Sequence, residues 1–242
     1  MVLLSVVASL FAVSAVAAPT TADSILPRAD SAESVLLQSG EGRHGGFFYS
    51  FWSDYYAPQS SAAGPPILYR NLEGGRYKVQ WSEGTGNFVA GKGWNATDAD
   101  KVKSVTYTAT VSASGTSYLS LYGWMTTSNA NRHVEYYIID DWIKYHPGQG
   151  DKIAGTVETD GGVYDIHIGN RVAQGLHDPS WRRIFSVRRE KRTAGTITAE
   201  KHFEAWKALG QSFDRHMYSV LAVEGYQSTG EADVTVLDYQ FS

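Results

Sequence analysis

The chain has 242 residues, carries a formal net charge of −4 and contains no cysteine, so its fold depends on packing rather than on disulfides. The mild acidity argues against duplex nucleic acid as a partner, because such binding needs a concentrated basic surface. Its 24 Gly, 15 Tyr and 7 Trp indicate many turns and a surface rich in rings, which together with the charge favours sugars over bases as ligands. At this length an all-β chain is expected to form one domain with a substantial core.

The N-terminal segment is typical of a secretory leader. It is apolar, dotted with small residues and ends in Ala15-Val16-Ala17, which predicts a signal peptide over residues 1–17, although the usual positive charge is absent. A membrane anchor is the weaker alternative, because the run is short and interrupted by Ser. We expect a pro-segment and N-terminal extension over residues 18–43, a folded domain over residues 44–242, and a secreted monomer without membrane association.

From Gly45 onwards, short apolar and aromatic runs alternate with turn residues. The runs predict strands over Phe47–Trp52, Arg76–Ser82, Phe88–Ala90, Val102–Val111, Ser117–Trp124, Val134–Asp140, Ile153–Glu158, Val163–Ile168, Ile184–Arg188, Met217–Val223 and Ala232–Phe241. Turns are predicted at Gly74-Gly75, Gly84-Thr85-Gly86, Ser114-Gly115, Asp160-Gly161-Gly162 and Thr229-Gly230. So many strands at this spacing indicate a sandwich or barrel.

One segment has a helical pattern instead. Thr198–Gly210 combines a Thr at the N-cap, an acid in the first turn and a closing Gly. Phe203, Trp206 and Leu209 are expected to form its buried stripe. No linker, repeat or second domain is indicated.

The run from His133 to Asp140 organises the chain. Side chains alternate along a strand, so Glu135, Tyr137 and Ile139 share one face. Val134, Tyr136 and Ile138 share the other. A second strand near the C-terminus places Glu224 on a face with Tyr218 and Tyr226. We therefore expect Glu135 and Glu224 to face each other across one groove.

Aromatic and hydroxyl side chains fall on the same face of several predicted strands. Phe48, Ser50 and Trp52 share one side of the first predicted strand, and Tyr122 and Trp124 alternate with leucines on a later strand. A face of Trp, Tyr and Ser suits a polysaccharide, because rings stack on sugars and hydroxyls meet their hydroxyl groups. The alternative is ordinary aromatic packing between two sheets, which explains one such strand more easily than several in the same phase.

Several ordered motifs resemble the retaining endo-1,4-β-xylanases of glycoside hydrolase family 11, whose fold is a β-jelly roll of two packed, strongly twisted antiparallel sheets with one α-helix. The matching stretches cover most of the chain after Gly45 and are Phe48-Tyr49-Ser50-Phe51-Trp52, Gly86-Asn87-Phe88-Val89-Ala90-Gly91-Lys92-Gly93-Trp94, Leu121-Tyr122-Gly123-Trp124, Val134-Glu135-Tyr136-Tyr137, Asp160-Gly161-Gly162-Val163-Tyr164-Asp165-Ile166, Ser186-Val187-Arg188-Arg189, His202-Phe203 and Ala222-Val223-Glu224-Gly225-Tyr226-Gln227-Ser228.

The resemblance implies a role for each matching position. Glu135 would be the nucleophile and Glu224 the acid/base, with no cofactor and with xylan or xylo-oligosaccharides as the substrate. The implied substrate-binding residues are Trp52, Asn87, Tyr122, Tyr137, Arg171, Tyr218 and Tyr226. Among these, Asn87 would lie against the acid/base, as in family members active near neutrality.

The chemistry of a retaining glycosidase requires two carboxyl groups about 5–5.5 Å apart, one to attack the anomeric carbon and one to protonate the leaving oxygen. Two like charges so close disfavour double ionisation, which separates their pKa values. Tyr hydroxyls would hold Glu135 as a carboxylate. Once the glycosyl-enzyme forms, its charge is lost and Glu224 can act as a base towards water.

The chain departs from the family pattern at four places. The first hairpin, between Trp52 and Gly74, is longer than usual. The thumb, Val172–Arg183, lacks the usual Pro-Ser-Ile tip, and Arg183 stands where a Gln is usual. The turn Met125–Arg132 is enlarged, and Arg132-His133 replaces Pro-Leu before the nucleophile strand. We hypothesise that Arg132, Arg182 and Arg183 favour xylan substituted with glucuronic acid; solvated rim positions are the alternative.

The sequence is also compatible with other functions. The long hairpin is compatible with an exo-like enzyme that releases short oligosaccharides, and the altered thumb with a carbohydrate-binding protein of weakened catalysis. A glucan-cleaving relative is a third alternative. Asn95-Ala96-Thr97 fits an N-glycosylation acceptor, a triplet that also arises by chance. The seven histidines show no metal-binding spacing.

Overall fold

The computed structural model describes residues 33–54, 67–82, 86–128, 132–169 and 181–242, which contain thirteen strands and two helices. The strands are β1 (Ser34–Leu36), β2 (Gly40–His44), β3 (Phe47–Ser53), β4 (Ile67–Asn71), β5 (Arg76–Trp81), β6 (Asn87–Asn95), β7 (Val102–Thr126), β8 (His133–Ile143), β9 (Gly155–Thr159), β10 (Gly162–Gly169), β11 (Trp181–Arg188), β12 (Ala194–Ile197) and β13 (His216–Phe241). The helices are α1 (Ala96–Ala99) and α2 (Ala199–Ala208).

Two very long strands connect the layers of the fold. β7 has 25 residues and β13 has 26, and they pair antiparallel with each other. β13 also pairs with β6 through its first half and with β5 through its second half. A register shift between Tyr226 and Thr229 marks the change of layer. Each long strand therefore contributes to both layers of one continuous sheet.

Glycine makes this change of direction possible. Opposite the register shift, Gly115 of β7 has a φ of +95°, and a Cβ there would lie 2.7 Å from the carbonyl oxygen of Gln227. The turns predicted at Ser114-Gly115 and Thr229-Gly230 are therefore wrong as hairpin turns. Both lie inside continuous strands, since Gly in a strand pattern marks a bend or a bulge as well as a turn.

The two layers pack face to face over an aromatic core. The ring of Phe51 on β3 stacks on that of Tyr69 on β4 with 5.8 Å between centroids, although these two strands do not pair. Tyr77 on β5 donates a 3.0 Å hydrogen bond to the backbone oxygen of Leu221 across the same core. The predicted all-β jelly roll is confirmed, with two corrections: the strands form one continuous 13-stranded sheet folded into two layers instead of two separate sheets, and β8 and β11 pair in parallel, so the sheet is mixed.

Helix α2 confirms the one helical prediction and corrects its cap. Trp206 is fully buried and donates a 2.9 Å hydrogen bond to Ser186, while Phe203 packs beside it. Thr198 makes no side-chain cap bond; its hydroxyl donates to Asp160 instead, at 2.6 Å. In the described ranges, no helix is both long and apolar enough to cross a membrane.

Four strands were not predicted. β1 and β2 belong to the expected N-terminal extension, yet they pair with β4 and β3 respectively. β4 itself lies in the first hairpin, and β12 pairs with β7. These segments are short and several are polar, so hydrogen bonding to a neighbouring strand stabilises them more than their own hydrophobic pattern does.

Candidate active site

A groove of about 1610 Å³ crosses one face of the sheet. It is lined by eight of the nine predicted catalytic and substrate-binding residues, namely Trp52, Asn87, Tyr122, Glu135, Tyr137, Tyr218, Glu224 and Tyr226. Residues 170–180, 55–66 and 129–131 lie outside the described ranges. The predictions for Arg171, the thumb tip, the long first hairpin and the enlarged turn therefore stay predictions.

Strand alternation places Glu135 in the groove. Val134, Tyr136 and Ile138 enter the main core, whereas Tyr137 joins a second apolar cluster beneath the groove. Glu135 shares the face of Tyr137 and is only 5% exposed. The predicted division of this strand into a core face and a chemical face is thus confirmed.

Two phenols bind one oxygen of Glu135. Tyr122 on β7 donates a 3.0 Å hydrogen bond to Oε1, and Tyr137 donates one of 3.1 Å to the same atom. Trp124 in turn donates a 2.6 Å hydrogen bond from Nε1 to the Tyr122 hydroxyl. Because the hydroxyl oxygen accepts a hydrogen bond from the indole N–H, its own hydrogen is directed at the carboxylate.

The other oxygen of Glu135 is held by a cation. Nε of Arg183 on β11 lies 2.6 Å from Oε2, and Arg183 and Glu135 are direct partners in the parallel register of the two strands. The sequence identified Arg183 as a departure from the family pattern but did not predict this pairing, because the parallel register of β8 and β11 arises only in the folded sheet.

Glu224 lies in the same groove in a different electrostatic state. It is 8% exposed, and burial followed by the negative charge of Glu135 raises its pKa from 4.5 to about 8. Tyr137, Arg183 and Asn87 act in the opposite direction without offsetting this rise. At neutral pH Glu224 therefore carries a proton in a groove that also contains a carboxylate. Within the described residues its Oε2 is buried and has no hydrogen-bond partner, which disfavours the charged form of the group.

Exposed rings mark the rim of the groove. Trp52 is 49% exposed and Tyr226 is 42% exposed, whereas Tyr218 is half-buried against Phe48 and Tyr122. Large exposed rings beside a polar groove are suited to stacking on sugars. Tyr118 was not predicted as a site residue, although it shares the face of Tyr122; it lines the groove and is the register partner of Glu224.

The sequence profile of glycosyl hydrolases family 11 matches residues 44–235. The chain belongs to this family. Ethylene-inducing xylanase 1 of Botryotinia fuckeliana is 44% identical over 200 residues, which cover 82% of this chain and 66% of that protein. Endo-1,4-beta-xylanase 2 of Humicola insolens is 39% identical over 238 residues, 96% of each chain. Endo-1,4-beta-xylanase I of Cochliobolus carbonum is 37% identical over 233 residues, again 96% of each.

The arginines that set this chain apart from the family pattern occupy different environments. Arg183 lines the groove, while Arg182 points away from it and donates a 2.8 Å hydrogen bond to Gln211. Arg132 is exposed and is not among the residues that line the groove. The hypothesis that all three arginines contact an acidic substituent is therefore weakened for Arg182, and Arg183 is already engaged by Glu135.

The part of the chain that the structure describes contains no recognisable metal site. No group of three or more His, Cys, Asp or Glu side chains there is arranged to hold an ion.

Proposed function

We propose that this family 11 member hydrolyses β-1,4-xylosidic bonds in xylan with retention of configuration, with Glu135 as the nucleophile and Glu224 as the acid/base. The observation that carries the proposal is the presence, in one groove, of a hydrogen-bonded carboxylate and a carboxyl group with a pKa of about 8. The names of the relatives, all xylanases, support xylan as the substrate.

The proposed first step forms a glycosyl-enzyme. The Glu135 carboxylate attacks the anomeric carbon, the bond to the leaving oxygen breaks, and that oxygen takes the proton of Glu224. A raised pKa suits Glu224 to this task, because the group must still hold its proton at neutral pH.

The second step hydrolyses this ester. Water attacks the anomeric carbon and passes a proton to Glu224, while the bond to Glu135 breaks and returns its electron pair to the carboxylate. Loss of the negative charge on Glu135 in the intermediate removes one of the causes that raise the pKa of Glu224. The same residue can therefore give a proton in the first step and take one in the second.

The remaining predicted residues receive binding roles in this proposal. Trp52 and Tyr226 offer exposed rings for stacking, and Tyr218 adds a phenol to the groove wall. Asn87 lowers the pKa of Glu224 without adding a charge. Arg171, which precedes the thumb in sequence, is proposed to complete the groove.

The biological setting of the enzyme is also part of the proposal. We infer that residues 1–17 are a signal peptide, that residues 18–43 include a pro-segment, and that residues 44–242 form the catalytic domain of a secreted monomer. The apolar leader pattern supports secretion. Nucleic acid and membranes are not expected partners of a mildly acidic chain with a sugar-suited groove.

An assay on xylan and glucan panels tests the proposal. Wild-type protein should release reducing ends from xylan, and NMR of the first product should show a retained β-anomer, while Glu135→Gln and Glu224→Gln should each lose nearly all activity. An inverted product would contradict the assigned roles.

The length of the early products distinguishes the alternative functions. Products of mixed length early in the reaction indicate endo action, and a single short product from the outset indicates the exo-like alternative. Binding of xylan without release of reducing ends would favour the carbohydrate-binding alternative.

A further inference from the structure

The ion pair between Arg183 and Glu135 is a built feature of the groove and not a rim contact. The Arg183 side chain is 23% exposed and that of Glu135 is 6% exposed, and the two residues lie opposite each other on paired strands. Burial alone would lower the pKa of Arg183, but the charge of Glu135 and its hydrogen bond more than offset this and raise it. Arg183 is thus a cation held against the carboxylate.

Two tryptophans hold the guanidinium in place. The carbon at the centre of the Arg183 guanidinium lies 5.2 Å from the centre of the Trp181 ring, and Trp181 packs edge-on against Trp124 with centroids 5.1 Å apart. Cation–π contact and aromatic packing of this kind fix the position of an otherwise flexible side chain. The Arg183 side chain therefore loses little additional conformational entropy when it pairs with Glu135.

The two oxygens of Glu135 have different kinds of partner. Oε1 accepts hydrogen bonds from the neutral phenols of Tyr122 and Tyr137, whereas Oε2 meets the positive charge of Arg183. A neutral phenol can still donate to an ester oxygen. An ion pair with Glu135 cannot survive esterification, because the ester has no charge, so the charge-assisted attraction between Arg183 and Oε2 is lost in the ester.

We propose that Arg183 is a positioning residue that stabilises the free carboxylate of Glu135 relative to its glycosyl ester. It therefore slows formation of the glycosyl-enzyme and speeds its hydrolysis. In the hydrolytic step, water adds to the anomeric carbon, its proton goes to Glu224, and the electron pair of the breaking C–O bond returns to the carboxylate that Arg183 is placed to receive. This inference rests on the roles proposed above for Glu135 and Glu224.

The same cation acts on Glu224. Arg183 lowers the pKa of Glu224 while Glu135 raises it. In the ester the charge of Glu135 is absent and that of Arg183 remains. Both changes favour a deprotonated Glu224, the form that must accept a proton from water, so the two effects of Arg183 assist the same step.

Pre-steady-state kinetics with 2,4-dinitrophenyl β-xylobioside test the proposal. With so good a leaving group, the burst of phenol reports ester formation and the slower steady rate reports ester hydrolysis. Arg183→Gln should slow the steady rate roughly tenfold, the order expected for a charge-assisted hydrogen bond, while the burst rate is unchanged or faster. Mass spectrometry of the quenched variant should show a larger fraction of enzyme carrying the sugar than in wild type.

Two further variants serve as controls. Arg183→Lys keeps the charge but not the guanidinium geometry, and should fall between wild type and Arg183→Gln. Arg182→Gln removes the neighbouring guanidinium, which bonds to Gln211 away from the groove, and should leave both phases as in wild type.

The outcomes separate this inference from the proposed function. If Arg183→Gln slows burst and steady phases equally, or accelerates hydrolysis of the ester, the role of Arg183 is overturned while the double displacement stands. If wild-type protein shows no covalent sugar on Glu135 during turnover, the proposed function and the inference are both overturned.

Discussion

Glu135 and Glu224 face one groove from strands β8 and β13, which are separated in the sheet by the single strand β7. The charge of Glu135 acts on Glu224 across this strand and adds to the effect of burial on its pKa. The groove therefore holds two carboxyl groups of the same chemical type in different protonation states at neutral pH. From this difference and from the contacts of both groups we predict how stability depends on pH and how variants change stability and rate.

The first prediction concerns Glu224→Gln. Because its pKa in the folded protein, about 8, lies above the ordinary 4.5, the buried carboxyl group favours folding only while it is protonated. Its contribution is complete below about pH 4.5 and is lost as the pH rises through 8. The neutral amide escapes this loss. Thermal unfolding should show the variant to be more stable than wild type at pH 9, with a smaller difference at pH 5, although it is inactive. Equal differences at both pH values would contradict the raised pKa.

The second prediction concerns the two phenols on Glu135. Tyr122→Phe and Tyr137→Phe each remove a hydrogen bond to Oε1, and each should lower kcat/KM by roughly tenfold or more, since hydrogen bonds to charged groups contribute about 1.5–3 kcal/mol. Tyr136→Phe is the matched control: its ring enters the main core on the opposite face of β8, and its hydroxyl makes no hydrogen bond to Glu135. A similar loss in Tyr136→Phe would point to general disturbance of β8.

The third prediction concerns His202, which lies fully buried on the inner face of α2. Burial, with a smaller contribution from Arg192, lowers its pKa from 6.5 to about 3. Since the unfolded chain binds the proton more readily, stability that is complete above pH 6.5 should fall as the pH drops towards 3, by up to about 1.4 kcal/mol per pH unit. His202→Leu should show a shallower decline between pH 7 and pH 4 in urea unfolding. Parallel declines in the two proteins would rule out His202 as the source.

The fourth prediction compares two ion pairs of different burial. Asp140 is fully buried and accepts hydrogen bonds of 2.6 Å from Tyr107 and Tyr164 and one of 2.7 Å from Arg192. Asp140→Asn should cost about 3–5 kcal/mol in the free energy of unfolding, because buried partners are left unsatisfied. Asp165→Asn breaks a pair with the exposed Arg189 and should cost less than about 1 kcal/mol. Denaturant unfolding of both variants measures the difference, and comparable costs would contradict it.

The sequence alone predicted the parts of this protein that depend on local pattern. Alternation along a strand placed Glu135 and Tyr137 on one face and Tyr136 on the other, and the first-turn acid and closing Gly of Thr198–Gly210 helped to identify α2 and its buried rings. These predictions succeed because a strand or a helix repeats its side-chain directions over a few residues, and such a repeat is visible in one segment.

Tertiary structure decided everything that depends on which segments become neighbours. The parallel pairing of β8 with β11 sets Arg183 on Glu135, and the continuous course of β7 and β13 turns two expected hairpins into bends. No local pattern encodes these features, because strand register and the burial of a charge depend on residues distant in the chain. Sequence therefore identified the two carboxyl groups, whereas the folded sheet determined the electrostatic partners that make them different.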